Sequence, residues 1–306
     1  MDTTLLLVQL LNGLQLGILL FLVAAGLTLV FGIMDFINLA HGVQYMVGAY
    51  LGVVFWGLTG NVLLTVPLVL VGSFVFAVVL EYTVFRKLYR ADHLSQVLAT
   101  VGVLIFVTEL VEIIFGTQLY EIPVPTFMSG AIPLTSTLQY PVYRIVVIGL
   151  GLALAVALWL AVSKTRVGAL VRAGATDSAM VSALGVNIER LFLLVFAFGG
   201  MLAGFAGLAA APIVAVESHM GDSILILCFV VIVIGGIGSI EGAFLGAIIV
   251  AMVDTLGRSF TTDIVKLVLD PSAATTVGPA VASMLIYLLM AVVLFVRPRG
   301  LFPAKA

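Results

Sequence analysis

Long apolar runs, separated by short charged stretches, decide what this chain can become. A helix needs roughly 20 residues to cross about 30 Å of hydrocarbon. In lipid a spanning segment must also satisfy its own backbone, which leaves helices or a closed barrel. Nine stretches qualify or nearly do: Leu5 to Val30, Leu39 to Leu58, Leu63 to Phe85, Leu94 to Phe115, Tyr143 to Val162, Leu191 to Val216, Ile224 to Ile234, Gly242 to Leu256 and Val277 to Val296. The pieces Ile224 to Ile234 and Gly242 to Leu256 are short and flank GGIGSIEG, so they read as two crossings or as one broken, re-entrant element. The expected fold is all-α: a polytopic membrane protein of eight to ten helices, one domain over residues 1–306. With 63% hydrophobic and 9% charged residues, no soluble arrangement competes.

Charge placement orients the helices, because cytoplasmic loops collect Lys and Arg. In a nine-crossing arrangement one side receives Arg86, Lys87 and Arg90, then Lys164, Arg166, Arg172 and Arg190, then Arg297, Arg299 and Lys305. Arg144, Arg258 and Lys266 fall opposite. The first side is expected to be cytoplasmic and to hold the C-terminus, with the N-terminus periplasmic. Asp2 is present and no Lys or Arg precedes Arg86, so the first run lacks the basic start of a cleaved signal and reads as a retained membrane segment. The positive residues are too scattered for a basic patch, so no nucleic acid is expected. The single Cys228 cannot form an intrachain disulfide.

Ser163 to Arg190 is the one long polar interruption. Within it Thr176 or Asp177 can accept a bond from the free N–H groups of a first helical turn. Gly185 can take the left-handed conformation that closes the last one. The result is a short helix of about two turns whose exposed side shows Ala179, Ala183 and Leu184. Solvation alone would favour charge there, so the stretch reads as a docking surface; a solvated connector is the plainer alternative.

Polar side chains inside apolar runs are costly unless they face a cavity or a partner. Asp35, Asn38, His41, Gln44 and Tyr45 punctuate FGIMDFINLAHGVQYMVGAY, and in a helix Asn38, His41 and Tyr45 would share a face. One reading is a broken helix lining a path for a polar solute; the other is a turn at the headgroups with His41 bonded to backbone. GGIGSIEG, with Gly235, Gly236 and Ser239, offers backbone donors and acceptors as a counterpart. Glu109 and Glu112 read more readily as an interfacial pair than as a proton site, and Asp254 near the outer end of its span is treated alike. GAYLGVV at Gly48 to Val54 against GAFLGAI at Gly242 to Ile248 points to a parallel internal repeat, although glycine-rich membrane helices also come to look alike by chance.

Absences narrow the chemistry. None of Lys87, Lys164, Lys266 and Lys305 follows a glycine, which excludes a Walker A loop. His41, His93 and His219 are far apart without zinc-protease spacing, and no GxSxG elbow occurs. No catalytic residue, metal site or cofactor is expected, and any energy for transport must come from another polypeptide.

GLTLVFGIMDFINLAHG at Gly26 to Gly42, RAGATDSAMVSALGVNIER at Arg172 to Arg190, the FAFGGMLAGFAG that follows, VIGGIGSIEGAFLGA and the closing RPRGLF occur in that order. On these pieces the chain resembles, nearly end to end, the Liv-type branched-chain amino-acid permeases of bacterial ATP-binding-cassette importers. The resemblance implies an inner-membrane subunit working with a second related permease, two cytoplasmic ATP-binding subunits that bind the ATP, and a periplasmic solute-binding protein. It implies that the polar stretch holds the helix that rests in an ATPase groove, a role carried by Asp177, Ala179, Ala183, Leu184 and Gly185. It also favours Phe31 to Tyr50 and Gly235 to Gly242 as elements near the path. Permeases of this kind carry branched-chain and other hydrophobic amino acids, urea or short amides, or aromatic acids; amino acids are the default expectation. A partner-free secondary transporter or channel, with Glu109, Glu112 or His41 carrying protons, is the competing class.

Overall fold

The computed structural model describes residues 3–89, 91–134 and 138–302, so Asp2, Arg90 and Lys305 lie outside the described residues. The helices are α1 (Thr3–Met34), α2 (His41–Thr59), α3 (Val62–Thr83), α4 (His93–Phe115), α5 (Val142–Lys164), α6 (Arg166–Thr176), α7 (Ser178–Ala183), α8 (Ile188–Ala210), α9 (Met220–Gly235), α10 (Ile240–Val265) and α11 (Pro271–Val296). A 3-10 turn at Phe85–Leu88 follows α3, and a small antiparallel hairpin pairs β1 (Ala131–Pro133) with β2 (Gln139–Pro141). Eight of the described helices are long and apolar enough to cross a membrane, and α9 is a shorter apolar helix of 16 residues. The chain is an all-α, multi-pass membrane protein.

Local chemistry accounts for where most helices begin. Asn61, Asp92, Thr165, Asp177, Asn187 and Ser239 each stand just before a helix and accept a bond from a first-turn N–H, which satisfies a donor the helix itself cannot. One expected boundary is corrected. The run Gly242 to Leu256 is part of the 26-residue α10, which continues to Val265. Arg258, just beyond the expected end at Leu256, pairs one turn back with Asp254, its Nε donating to both carboxylate oxygens at 2.9 Å. Paired in this way, they let the helix run on.

Glycine decides which helices are central. In their most apolar windows α1 is 83% buried and α8 78%, against 17% for α11, so α1 and α8 form the core while α11 faces outward. Small residues let membrane helices approach closely. Gly13, Gly17 and Gly32 of α1 rest against Met252, Ile248 and Gly238, which sets α1 antiparallel to α10. Gly26 meets Gly199, and Gly174 touches both Ile33 and Leu191, so α1 is antiparallel to α8 as well. Gly200 packs on Gln44 and Gly207 on Tyr45 and Ala49, so α2 runs parallel to α8. Gly48 to Val54 and the start of α10 therefore share a direction, as a parallel repeat requires.

Because α8 follows α7 directly, these directions define two ends of the bundle. One, the loop end, carries α6, α7, the 3-10 turn and the C-terminal segment, whose Leu301 and Phe302 N–H groups donate to Ile234 O and Gly235 O at 2.8 and 2.9 Å. The opposite end carries the starts of α1 and α5. Among the described residues the loop end holds Arg86, Lys87, Lys164, Arg166, Arg172, Arg190, Arg297 and Arg299, and the opposite end Arg144, Arg258 and Lys266.

Two helices begin inside the bundle. Residues 35–40 are non-helical, starting from Asp35 at φ 47°, and they turn the chain back inward. His41, the first residue of α2, places Nε2 3.0 Å from Val23 O. Val23 lies eleven residues before the end of α1, on the order of 15 Å along the axis. From the other end the segment after α8 descends alongside Tyr120, bonded through Val216 in both directions at 2.8 and 3.0 Å. It delivers Gly221 of α9 against Gly42 of α2, so the first turns of α2 and α9 cross in the interior.

Candidate functional site

A cavity of about 350 Å³ lies at the end of the bundle opposite the loops, between α1, α2, α5, α8, α9 and α10. Its polar wall is built by Gln9, Asn12, Gln15, Arg144, Asp254 and Arg258. The three α1 residues are spaced by three, which keeps them on adjoining turns of one helix face. Asn12 is the hub of this wall. Its Nδ2 donates to Gln9 Oε1 at 3.2 Å, and its Oδ1 accepts from Arg144 Nη1 at 2.6 Å and from the Tyr140 hydroxyl at 3.2 Å. Gln15 is 4% exposed and its Oε1 has no hydrogen-bond partner. Leu16, Leu19, Ile224 and Tyr45 supply the apolar wall. A mostly apolar concavity with a few convergent polar groups is the usual form of a small-solute site.

Of the five residues expected on the Phe31 to Tyr50 break, Tyr45 alone lines this cavity. Asn38, expected on a helical face with His41 and Tyr45, precedes the helix: α2 starts at His41, and Asn38 Oδ1 accepts from Ala40 N at 3.0 Å in the turn that leads into it. The shared face therefore comprises His41 and Tyr45 without Asn38. His41 and Gln44 are buried in the first turn of α2, where the Gln44 amide lies beside the His41 ring without a well-aligned hydrogen bond. Asp35 is on the surface at the loop end, 3.9 Å from His93 Nε2. Gly235, Gly236 and Ser239 lie at that same end in the tight connection from α9 to α10. There Gly236 takes φ 112°, and Ser239 Oγ accepts from Gly242 N at 3.0 Å. The structure thus separates the two breaks: residues 35–40 reach the interior, whereas residues 236–239 turn at the bundle end.

The polar stretch folds as two helices where one was expected. α6, capped by Thr165, folds back onto the bundle, with Gly168 against the end of α5 and Gly174 against Ile33 and Leu191. α7 is the expected short helix: Asp177 Oδ1 accepts from Met180 N at 2.8 Å and Gly185 closes it at φ 89°. Val181 is buried beneath it, while Ala179, Met180, Ala183 and Leu184 face outward, Leu184 at 78% exposure. A single buried rod, α8, starts just beyond this tip and ends at Ala210 in the cavity wall.

Three features escaped the sequence reading. Gln9, Asn12 and Gln15 carried a detectable signal, three amides at helical spacing in an otherwise apolar run. Arg144 and Arg258 were visible only as charges on the sparse side. The third is a cluster at the opposite end, where Ser218 donates to Glu112 at 2.6 Å and His219 bridges Asp222, at 3.1 Å, and Glu112, at 3.4 Å. The bond to Asp222, with the Glu112 and Glu109 charges nearby, raises the His219 pKa above its ordinary value. Glu112 thus serves as an interfacial tie between α4 and the segment leading into α9.

The family described as "Branched-chain amino acid transport system / permease component" matches residues 9–294. The BraD permease protein of the high-affinity branched-chain amino acid transport system of Pseudomonas aeruginosa is 29% identical over 269 residues, covering 83% of this chain and 87% of its own length. The LivH permease protein of the corresponding Escherichia coli system is 28% identical over 272 residues, covering 82% and 86%. A LivH described as a probable branched-chain amino acid transport permease in Methanocaldococcus jannaschii is 24% identical over 248 residues, covering 78% and 76%. No solved structure matches the chain.

Proposed function

The chain belongs to the permease-component family of branched-chain amino acid transport systems, and from that premise we propose that it is a membrane subunit of an ATP-driven importer in the bacterial inner membrane. It moves branched-chain or other hydrophobic amino acids delivered by a periplasmic binding protein. It works beside a second, related permease, and two cytoplasmic subunits bind and hydrolyse the ATP. The loop end is cytoplasmic, in keeping with its excess of Lys and Arg, and the cavity opens toward the periplasm with the N-terminus.

The observation that carries this reading is the course of α8. It joins an exposed, capped finger of small and apolar residues at one end to the wall of a mostly apolar cavity with a few convergent polar groups at the other. Asp177 and Gly185 set the ends of that finger, and Ala179, Ala183 and Leu184 present the surface that an ATPase groove would cover. Work done on the finger reaches the cavity through a buried, glycine-rich helix and changes which side the cavity faces. In this reading the route runs from the cavity past Gln44 and His41 at the crossing of α2 and α9, then past Asn38 just before it, and Asp35, Gly235, Gly236 and Ser239 stand at its loop-end mouth.

The test is uptake by the complete importer in proteoliposomes carrying Ala183→Glu. The variant is expected to insert and to lose amino-acid uptake together with solute-stimulated ATP hydrolysis. Normal values for both would remove the docking assignment. Uptake by the isolated chain under a pH gradient would instead support a partner-free transporter.

A further inference from the structure

The charges around the cavity do not balance. Asp254, with 8% of its side chain exposed, is taken by Arg258 at 2.9 Å. Arg144 donates one Nη1 bond to Asn12, and no carboxylate among the described residues comes within 4.0 Å of it. The lining thus carries two guanidinium groups and one carboxylate, next to apolar helices where an uncompensated charge is expensive. Gln15 lines the same cavity, and its Oε1 is buried without a partner, so a turn of its amide presents that acceptor to a guest. An arginine with free nitrogens and a neighbouring empty acceptor are complementary to a zwitterion.

We infer that the cavity is a recognition site for the α-carboxylate and α-ammonium of an aliphatic amino acid, the carboxylate on Arg144 and the ammonium on Gln15 Oε1. Asn12 and Tyr140 steer the guanidinium by holding one side of it, so its remaining nitrogens face the cavity. Leu16, Leu19 and Ile224 then receive the aliphatic side chain. The positive excess serves recognition: a urea or neutral amide would leave Arg144 unpaired, whereas a carboxylate completes it. The inference rests on the permease reading and adds to it a site within this subunit, distinct from whatever the external binding protein selects.

The complete importer in lipid vesicles, with the binding protein omitted, can be irradiated with a diazirine analogue of leucine and the labelled residues mapped by mass spectrometry. Label is expected on Leu16, Leu19 or Ile224. Leucine should compete it away, and leucinamide, which lacks the carboxylate, should compete on the order of tenfold to a hundredfold more weakly. Arg144→Gln is expected to lose the label and Arg144→Lys to keep part of it. Label absent from the cavity, or leucinamide competing as well as leucine, overturns the assignment, and both arms are read on the unmodified protein. Failure of the wild-type importer with its binding protein to take up any amino acid would count against the permease reading instead.

Discussion

Gly26 of α1 and Gly199 of α8 cross with bare backbones in contact: a Cβ on Gly26 would stand 2.6 Å from the Gly199 carbonyl oxygen. The two most buried helices are locked at this point, and neither backbone can give way without moving the core. Gly26→Ala is expected to destabilise the protein by about 1–3 kcal/mol, the usual cost of overpacking. Gly57, with nothing within 4 Å of an added Cβ, is the control; Gly57→Ala should be neutral or stabilising by up to about 1 kcal/mol. Thermal unfolding in detergent compares the two, and equal midpoints would refute a Gly26–Gly199 lock.

Gln44 is 1% exposed, and its amide lies beside the His41 ring without forming a well-aligned hydrogen bond. A buried polar group left unmatched costs about 1–3 kcal/mol, and methionine occupies similar space without that burden. Gln44→Met is therefore expected to raise the unfolding midpoint. If the amide serves a passing solute, uptake falls in the same variant. A lowered midpoint would mean that the amide is satisfied in the assembled protein.

The carboxylate of Glu81 is fully buried and held by three bonds: Arg86 Nε at 3.2 Å, Arg86 Nη2 at 3.1 Å and the Tyr89 hydroxyl at 2.9 Å. Removing one partner of such a pair leaves an uncompensated buried charge, whereas removing both does not. Arg86→Met should lower stability markedly, and Glu81→Leu in the same chain should restore most of the loss. By contrast, Lys266→Ala, at the exposed pair with Asp263, should change nothing measurable. A double variant no better than Arg86→Met would refute this account.

His219 has a pKa raised above its ordinary 6.5 by the bond to Asp222, with further help from Glu112 and Glu109. A raised native pKa means that the tie contributes fully below about pH 6.5 and is lost as pH climbs through the native value above it. The last turn of α4, before Phe115, and the segment before α9 should therefore lose hydrogen-exchange protection, corrected for intrinsic rates, on going from about pH 6 to about pH 9. His219→Gln should abolish that dependence. The same pH slope in the variant would assign it to another group.

Much of the fold was legible because lipid imposes a rule that acts along the chain. Leu94 to Phe115 had to be a helix and is one within a residue, as α4. Asp177, one of the two caps offered with Thr176, and Gly185 announced the limits of α7, the first through its side-chain oxygen and the second through its left-handed backbone. Asn38 was misplaced because spacing cannot tell whether a helix has begun; the inward turn at Asp35 delays it to His41. α10 was cut short because Asp254 and Arg258 count as two charges in a hydropathy sum and as one neutral pair in the folded helix.

The sequence by itself determined the membrane class, most of the spanning helices, the ends of α7, and the side on which positive charge gathers, since each depends on residues near one another in the chain. The tertiary structure alone decided that α1 and α8 are central, that α2 and α9 start inside the bundle, and that Gln15, Arg144 and Asp254 meet around one cavity. Those outcomes depend on which glycine faces which backbone across helices far apart in sequence. Steric fit of that kind leaves no periodic trace in any single segment.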